Sequence, residues 1–321
     1  MRLVRLIFIL TLMLLMSCNE TEDNPDSEPI LRLDETLIVD GMTRSYHIQH
    51  PQDPDNKPLV IVLHGHGGSS DQSLGMGLGK NPQKIWLDVA KEHQFLVVVP
   101  NGEPGMEGNR GWNDCRLDAP ANPTTDDVTF IKSLLDDIAS NYNHDVNKVY
   151  VAGVSNGAMM SQRLVEEIPE KIAAFASIVN NRPGNSACVI SDEPVSALYM
   201  NGTVDLLVPY EGGQIASDRG LVISTDQSIA HWVQRNQTDL SPTIELFEDI
   251  NTNDNSTVEK YTYDNGLNNT QVILYKVIGG GHTEPSLVEN YSQAYLNIVG
   301  EQNEDIEMAE EIWKFFEDKS K

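Results

Sequence analysis

A strand-to-helix corner built around a Gly-x-Ser-x-Gly pentapeptide constrains the fold of this chain more than any other feature. The pentapeptide GVSNG, residues 153–157, follows the apolar run VYVA and precedes an apolar-periodic run that begins at residue 158. A serine on such a corner sits in a strained turn that lifts its hydroxyl clear of its own backbone. A Cβ at either flanking glycine would collide with the neighbouring strand or helix. The pattern therefore predicts a strand, a tight turn at Ser155 and a helix in direct succession.

The rest of the chain alternates between predicted strands and predicted helices. Continuous β-branched runs at residues 59–63 and 95–99 are typical of parallel strands buried on both faces. Residues 127–142 carry apolar side chains at helical spacing, after the N-cap candidates Thr124, Thr125 and Asp126. We predict further strands at 149–152, 173–179, 197–200 and 272–277, and further helices at 158–167, 228–235 and 308–316. The alternation predicts an α/β fold with a mostly parallel central sheet and helices on both faces.

Two shorter patterns complete the prediction of secondary structure. Residues 36–39 and 46–48 flank Asp40-Gly41, which is the pattern of a β-hairpin. The polar residues 249–256 predict a loop between short strands.

Composition limits the number of domains and the kinds of partner. The 321 residues are 40% hydrophobic, and no linker-like segment divides them after about residue 33. We therefore expect a single domain over residues 34–321. The net charge of −26 would repel nucleic acid, which we exclude as a partner, and acidity of this kind is ordinarily a matter of solubility.

The N-terminal residues have the composition of an export signal. Arg2 and Arg5 precede an apolar stretch that is too short to span a bilayer but suits a secretory signal, and LMSC ends it at Cys18. This ending resembles the lipobox of bacterial lipoproteins. We expect a signal peptide over residues 1–17, lipidation of Cys18 and an acidic tether over residues 18–33. The protein would then be an outer-membrane lipoprotein facing the periplasm or the cell surface, or a secreted protein, and would contact a membrane only through this anchor.

Two cysteines remain after the predicted signal, Cys115 and Cys188. Export to an oxidising compartment predicts a disulfide between them. Two separate buried thiols are the alternative.

The residues that could activate Ser155 follow it in the chain. A serine hydroxyl is a weak nucleophile unless a histidine accepts its proton and a carboxylate orients that histidine. Asp205 comes directly after a predicted strand, and His282 follows three glycines and another predicted strand. The order Ser, Asp, His is the one expected when the serine sits on this kind of corner. We predict Ser155, Asp205 and His282 as nucleophile, orienting acid and general base.

The oxyanion formed by such an attack needs two main-chain donors. Asn156, at the start of the helix after the nucleophile, supplies the first N–H. The glycine-rich loop after residue 63 supplies the second, from His66 or, as the next choice, Gly67. No third ligand accompanies the imidazoles of His64 and His66 at a suitable spacing, so we expect no metal site and no cofactor.

At this point the chain resembles a known family, the secreted polyhydroxybutyrate-depolymerase-like esterases, which are close to the feruloyl and acetylxylan esterases of the α/β-hydrolase superfamily. The resemblance runs from about residue 36 to the C-terminus, in the segments LHG (63–65), GWNDC (111–115), DDVTFI (126–131), GVSNGAMM (153–160), NGTVD (201–205), VPYEGG (208–213) and GGGHT (279–283). It implies the α/β-hydrolase fold and a small-molecule or polymer-borne ester as substrate. It also implies the roles just given to Ser155, Asp205 and His282.

The resemblance also indicates where a substrate pocket could lie. The family places the segment around Trp112 near the catalytic face, so Trp112 is a candidate pocket residue, with a core tryptophan as the alternative. The family usually continues after the histidine with Thr-Trp-Pro-Gly, whereas Glu284 stands here in place of the tryptophan. We therefore take Trp112, Gly67 and Glu284 as candidate pocket residues.

Two alternatives to an esterase are compatible with the same sequence. A serine peptidase on this scaffold would need additional segments to hold a peptide. A surface lipoprotein that binds a glycan without catalysis would be favoured by a vacant position among the three catalytic candidates, and none is vacant.

Overall fold

The computed structural model describes residues 28–77 and 79–321. Their strands are β1 (Ile30–Val39), β2 (Met42–His50), β3 (Leu59–Leu63), β4 (Leu96–Pro100), β5 (Glu103–Pro104), β6 (Arg110–Gly111), β7 (Val149–Val154), β8 (Ala174–Ile178), β9 (Ser196–Gly202), β10 (Gly213–Gln214), β11 (Leu221–Val222), β12 (Thr243–Leu246), β13 (Thr257–Tyr263) and β14 (Val272–Ile278). Their helices are α1 (Ser70–Ser73), α2 (Trp86–His93), α3 (Asp127–Tyr142), α4 (Asn156–Glu167), α5 (Thr225–Asn236), α6 (Gln293–Val299) and α7 (Met308–Phe316).

Ten of these strands form one sheet in the order β1-β2-β4-β3-β7-β8-β9-β14-β13-β12. The central strands β4, β3, β7, β8, β9 and β14 run parallel to one another. The strand pairs at both edges of the sheet are antiparallel. Every residue of β3 and β4 is buried, as the continuous β-branched runs predict. The mostly parallel central sheet is thus confirmed.

Helices cover both faces of the sheet, so the core has two halves. Side chains of α3, α4 and α5 pack on one face, among them Leu134, Leu164 and Trp232. On the other face α2 and α7 pack around an aromatic cluster, in which Trp313 and Phe316 of α7 stack on Phe95 at 4.0 Å and on Tyr150 of β7 at 4.8 Å. Full burial of each such side chain contributes roughly 2 kcal/mol. The predicted α/β fold with helices on both faces is confirmed.

The opening hairpin is also confirmed, but it starts earlier than predicted. Asp40 and Gly41 both have positive φ, 51° and 77°, as a two-residue turn between twisted strands requires. Strand β1 begins at Ile30, inside the segment predicted as a tether over residues 18–33. Strand β1 pairs with β2 in antiparallel register, beginning with Ile30 opposite His50. This pairing orders the last residues of the predicted tether.

The predicted helix at Asp127–Tyr142 has the bounds expected, and Asp126 is its N-cap, accepting the N–H of Thr129 at 3.0 Å. The sequence did not predict α2, α6 or the bounds of the edge strand β12. All residues of β12 are exposed, so this strand lacks the alternation of buried and exposed side chains that identifies a strand in a sequence.

The predicted signal peptide, the lipidation site Cys18 and most of the tether lie outside the described residues. Within the described part of the chain, no helix is long and apolar enough to cross a membrane.

Candidate active site

Ser155 occupies a strained turn between β7 and α4. Its backbone has φ 54° and ψ −118°, and its N–H donates to the carbonyl of Ile178 at 3.0 Å. A Cβ on Gly153 would lie 2.2 Å from the carbonyl oxygen of Gly157, and a Cβ on Gly157 would lie 2.4 Å from that of Leu63. Both glycines are therefore required for the close approach of strand and helix, as the pentapeptide predicts.

Asp205 and His282 form a buried pair at the same edge of the sheet. The Nδ1 of His282 lies 2.7 Å from Oδ2 of Asp205, and both side chains are at most 9% exposed. The other carboxylate oxygen accepts the N–H groups of Leu207 and Val208 at 2.7 and 2.8 Å. Because a carboxylate only accepts, Nδ1–H of the histidine donates to it, which leaves Nε2 as the nitrogen able to accept a proton.

The fold brings the three predicted residues to the carboxyl ends of nearby strands. Ser155 follows β7, Asp205 follows β9 and His282 follows β14, in a sheet ordered β7-β8-β9-β14. The structure joins Asp205 to His282, but among the described residues the hydroxyl of Ser155 makes no hydrogen bond. Such bonds are often long in a ligand-free enzyme and tighten when substrate binds.

Two asparagines that the sequence did not single out connect the loop of the serine to the loop of the aspartate. Asn180 donates its Nδ2–H to the carbonyl of Ser155 at 3.0 Å and its main-chain N–H to Oδ1 of Asn201 at 2.9 Å. Asn201 returns a bond from Nδ2 to the carbonyl of Asn180 at 2.9 Å. Both are buried, and their only sequence signal is their position at or just after the end of a buried strand.

The proposed oxyanion donors differ in their availability. Within the described part of the chain, the main-chain N–H groups of His66 and Asn156 donate to no protein acceptor, whereas that of Gly67 donates to the carbonyl of Arg110 at 2.7 Å. The hydrogen bond to Arg110 removes Gly67 as a donor and leaves His66 and Asn156 as the pair predicted first.

Both ring nitrogens of His64 make hydrogen bonds that hold the glycine-rich loop after β3. Its Nδ1–H donates to the carbonyl of Gly65 at 2.7 Å, and its Nε2 accepts the N–H of Gly102 at 3.0 Å. Burial lowers the pKa of His64 to about 4, so the ring is neutral at physiological pH.

The structure corrects two of the three candidate pocket residues. Trp112 is fully buried beneath the glycine-rich loop after β3 and donates its Nε1–H to the carbonyl of His64 at 2.8 Å, so it is a core tryptophan. Glu284, two residues after His282, is also buried; it accepts the hydroxyl of Tyr291 at 2.8 Å, and burial raises the pKa of its carboxyl. Gly67 is exposed on the loop surface. Sequence reasoning missed the burial of both side chains because it did not show how the surrounding loops pack on them.

The predicted disulfide between Cys115 and Cys188 is present, with Cα atoms 5.5 Å apart. It joins the segment after β6 to the loop after β8, across 73 residues of sequence. The alternative of two separate buried thiols is therefore not what the structure has.

A buried glutamate beneath the histidine loop predicts a pH dependence of stability. Glu307 is 9% exposed and accepts the hydroxyl of Ser286 at 2.9 Å and the N–H of Leu287 at 3.1 Å, and burial raises its pKa to about 7. A carboxyl whose folded pKa is raised binds its proton more tightly in the folded state, so stability is lost as pH rises from about 4.5 to 7.

We therefore expect Glu307→Gln to raise the free energy of unfolding at pH 8, on the order of 2 kcal/mol, and to change it little at pH 4.5. Denaturant unfolding of the two proteins at both pH values measures this difference. Glu248→Gln, at an exposed position, is the matched control and should leave the pH dependence as it is in the wild type. The same pH dependence in wild type and Glu307→Gln would contradict the assignment.

Comparison with known proteins gives relatives that are esterases and depolymerases. No protein-family model matches the chain. NocK of Nocardia uniformis subsp. tsuyamanensis, named as a candidate esterase, is 28% identical over 83% of this chain and 78% of its own. Feruloyl esterase D of Neurospora crassa is 28% identical over 60% of this chain and 64% of its own. Poly(3-hydroxyalkanoate) depolymerase C of Paucimonas lemoignei is 29% identical over 39% of this chain, which spans only 28% of that relative.

A solved structure shares the fold. The acetyl xylan esterase from Aspergillus awamori superposes with a TM-score of 0.51 at 15% identity, covering 84% of this chain and 98% of its own. That likeness shows the α/β-hydrolase fold. By sequence the chain is similar to esterases and depolymerases, and by structure it has the α/β-hydrolase fold.

Proposed function

We propose that this protein hydrolyses carboxylic esters through an acyl-enzyme intermediate on Ser155. The observation that carries the proposal is the buried pair of Asp205 and His282, 2.7 Å apart, at the sheet edge where Ser155 occupies its strained turn. A carboxylate in contact with Nδ1 of an imidazole is the arrangement that makes the other ring nitrogen a base. The two unengaged main-chain N–H groups of His66 and Asn156 add the second requirement, a site for the developing oxyanion.

The reaction follows from these positions. Ser155 Oγ attacks the ester carbonyl while Nε2 of His282 takes its proton, and Asp205 stabilises the imidazolium that forms. The carbonyl oxygen becomes an oxyanion held by the N–H groups of Asn156 and His66. His282 then gives the proton to the departing alkoxide, which leaves as an alcohol. Water, deprotonated by the same histidine, releases the acid and restores the serine.

The substrate class rests on the relatives. Their names describe esters of acetylated xylan, ferulate and hydroxyalkanoate, so we propose short-chain, hydroxyalkanoate or plant-polysaccharide esters for this chain. We also propose that the protein is exported and anchored through a lipid on Cys18. The disulfide between Cys115 and Cys188 supports export, because such bonds persist in oxidising compartments.

A substrate panel tests the proposal. The mature protein is given aryl acetate and butyrate, acetylated xylan, a feruloylated arabinoxylan fragment, hydroxybutyrate oligomers and a peptide anilide. We expect hydrolysis of the short aryl esters and of at least one of the natural esters, with the anilide unchanged. Cleavage of the anilide alone would favour the peptidase, and binding of a glycan without any hydrolysis would favour the non-catalytic alternative.

A further inference from the structure

The side chain of Asn156 is fixed from three directions. Its Oδ1 accepts the main-chain N–H of Trp112 at 2.7 Å, and its Nδ2–H groups donate to the carbonyl of Trp112 at 3.1 Å and to Oδ2 of Asp114 at 2.6 Å. The residue is 4% exposed. Both N–H groups and the oxygen of this amide have a buried partner, so the side chain has a single orientation.

Asp114 is a buried carboxylate with a defined set of partners. It is 1% exposed, and the guanidinium of Arg116 contacts both of its oxygens, with Nε 3.0 Å from Oδ1 and Nη2 2.8 Å from Oδ2. Asn122 adds a bond from Nδ2 to Oδ1 at 2.9 Å. These contacts compensate the buried charge, which would otherwise be costly. These contacts hold the Asp114 carboxylate in place, so that it can fix the position of the Asn156 side chain.

The same short segment also holds the other half of the proposed oxyanion site. The carbonyl of Arg110 accepts the N–H of Gly67, and the indole of Trp112 donates to the carbonyl of His64. The chain is therefore hydrogen-bonded to residues 110–114 on both sides of His66. The disulfide of Cys115 and a 2.8 Å bond from the N–H of Asn113 to Asp127 anchor the segment to the rest of the fold.

We propose that Asp114 is a positioning residue for ester hydrolysis, which sets the direction of the Asn156 main-chain N–H by holding the Asn156 side chain. Residues 110–114 then fix the distance between the two oxyanion donors, the main-chain N–H groups of His66 and Asn156. Donors of this kind act only when they lie about 2.7–3.1 Å from the position that the oxyanion will take. A small rotation of the Asn156 peptide therefore weakens binding of the transition state more than binding of the ester. This inference rests on the function proposed above.

The test is a pair exchange between Asp114 and Asn156. Asp114→Asn and Asn156→Asp each break the complementarity of acceptor and donor, and Asn156→Asp brings two carboxylates together. We expect kcat for an aryl acetate to fall about 10- to 100-fold in each variant, with KM changed less than about threefold. The double variant restores an amide facing a carboxylate and should recover at least about tenfold in kcat over Asn156→Asp.

Two further variants separate positioning from stability. Asn156→Ala removes the contact but leaves Asp114 bonded to Arg116 and Asn122, so it should lower kcat in the same way even where Asp114→Asn does not fold. Asp118→Asn is the control, because Asp118 lies in the same loop and accepts the N–H of Leu221 but makes no bond to Asn156. It should leave kcat unchanged.

The outcomes distinguish this inference from the function beneath it. If the wild type hydrolyses esters and both Asp114→Asn and Asn156→Ala fold with an unchanged kcat, the positioning role is wrong and the esterase stands. A rise in KM with kcat unchanged would equally overturn it. If the folded wild type hydrolyses no ester in the panel, the proposed function fails and this inference fails with it.

Discussion

Replacing Ser155 by alanine is expected to lower kcat/KM for a short aryl ester by about a million-fold, which is the loss found when a serine nucleophile of this type is removed. Without Oγ no acyl-enzyme can form, and His282 and Asp205 have no proton to move. The remaining rate would come from the oxyanion donors acting on water, roughly a thousandfold above the uncatalysed reaction. Alanine tolerates the backbone of φ 54° as serine does, so the melting temperature should change little.

Ser161→Ala is the matched control for this experiment. Ser161 lies on α4, six residues after Ser155, and its hydroxyl donates to the carbonyl of Ala158 at 2.8 Å. We expect this variant to hydrolyse the ester at the wild-type rate. Activity of Ser155→Ala within tenfold of the wild type would show that another group is the nucleophile.

Replacing Asp205 by asparagine is expected to lower kcat by about ten-thousandfold near neutral pH. The carboxylate now accepts Nδ1–H of His282 at 2.7 Å, which keeps Nε2 free to take the serine proton. An amide at the same position can donate to Nδ1 instead, and the ring then presents a proton to Ser155 where an acceptor is needed. Oδ1 of the asparagine can still accept the N–H groups of Leu207 and Val208, so the loop should keep its shape.

The measurement is kcat against pH for the wild type and Asp205→Asn, with Asp226→Asn as the control. Asp226 is an exposed aspartate in the first turn of α5, and its replacement should leave the whole profile unchanged. A kcat for Asp205→Asn within tenfold of the wild type at neutral pH would mean that Asp205 does not orient the base.

Most of the features that the sequence predicted depend on residues close together in the chain. The apolar spacing of residues 127–142 and the N-cap at Asp126 define α3 locally, and the structure has that helix with the same bounds. The turn at Ser155 was predictable for the same reason, because both glycines that it requires lie two residues from the serine. The contact of Asp205 with His282 was predictable since both residues directly follow strands whose carboxyl ends share one edge.

What the sequence did not predict depends on contacts between distant residues. Trp112 was a candidate pocket residue, yet it is buried because the loop at His64, 48 positions away, closes over it. Glu284 is also buried, and it bonds to Tyr291 and Gln302, 7 and 18 positions further along the chain. Neither spacing nor composition shows which loops pack on each other, so the depth of these two side chains could not be predicted.

The hydrogen bonds around Ser155 could not be predicted from the sequence either. Asn180 and Asn201 connect the serine loop to the aspartate loop across 21 residues, and a lone asparagine after a strand is too common to indicate such a bond. Val179 adopts φ 47°, which is an outlier for a β-branched residue and has no sequence signal. These features are consequences of tertiary packing at the carboxyl edge of the sheet.

Covalent trapping of the nucleophile tests the central claim most directly. The mature protein is incubated with diethyl 4-nitrophenyl phosphate, and the intact mass and the peptide map are recorded for the wild type and for Ser155→Ala. We predict a single diethylphosphoryl adduct in the wild type, on the peptide that contains Ser155, formed in parallel with loss of esterase activity and absent from the variant. An adduct on a different residue, or complete inactivation without an adduct on Ser155, would contradict the account.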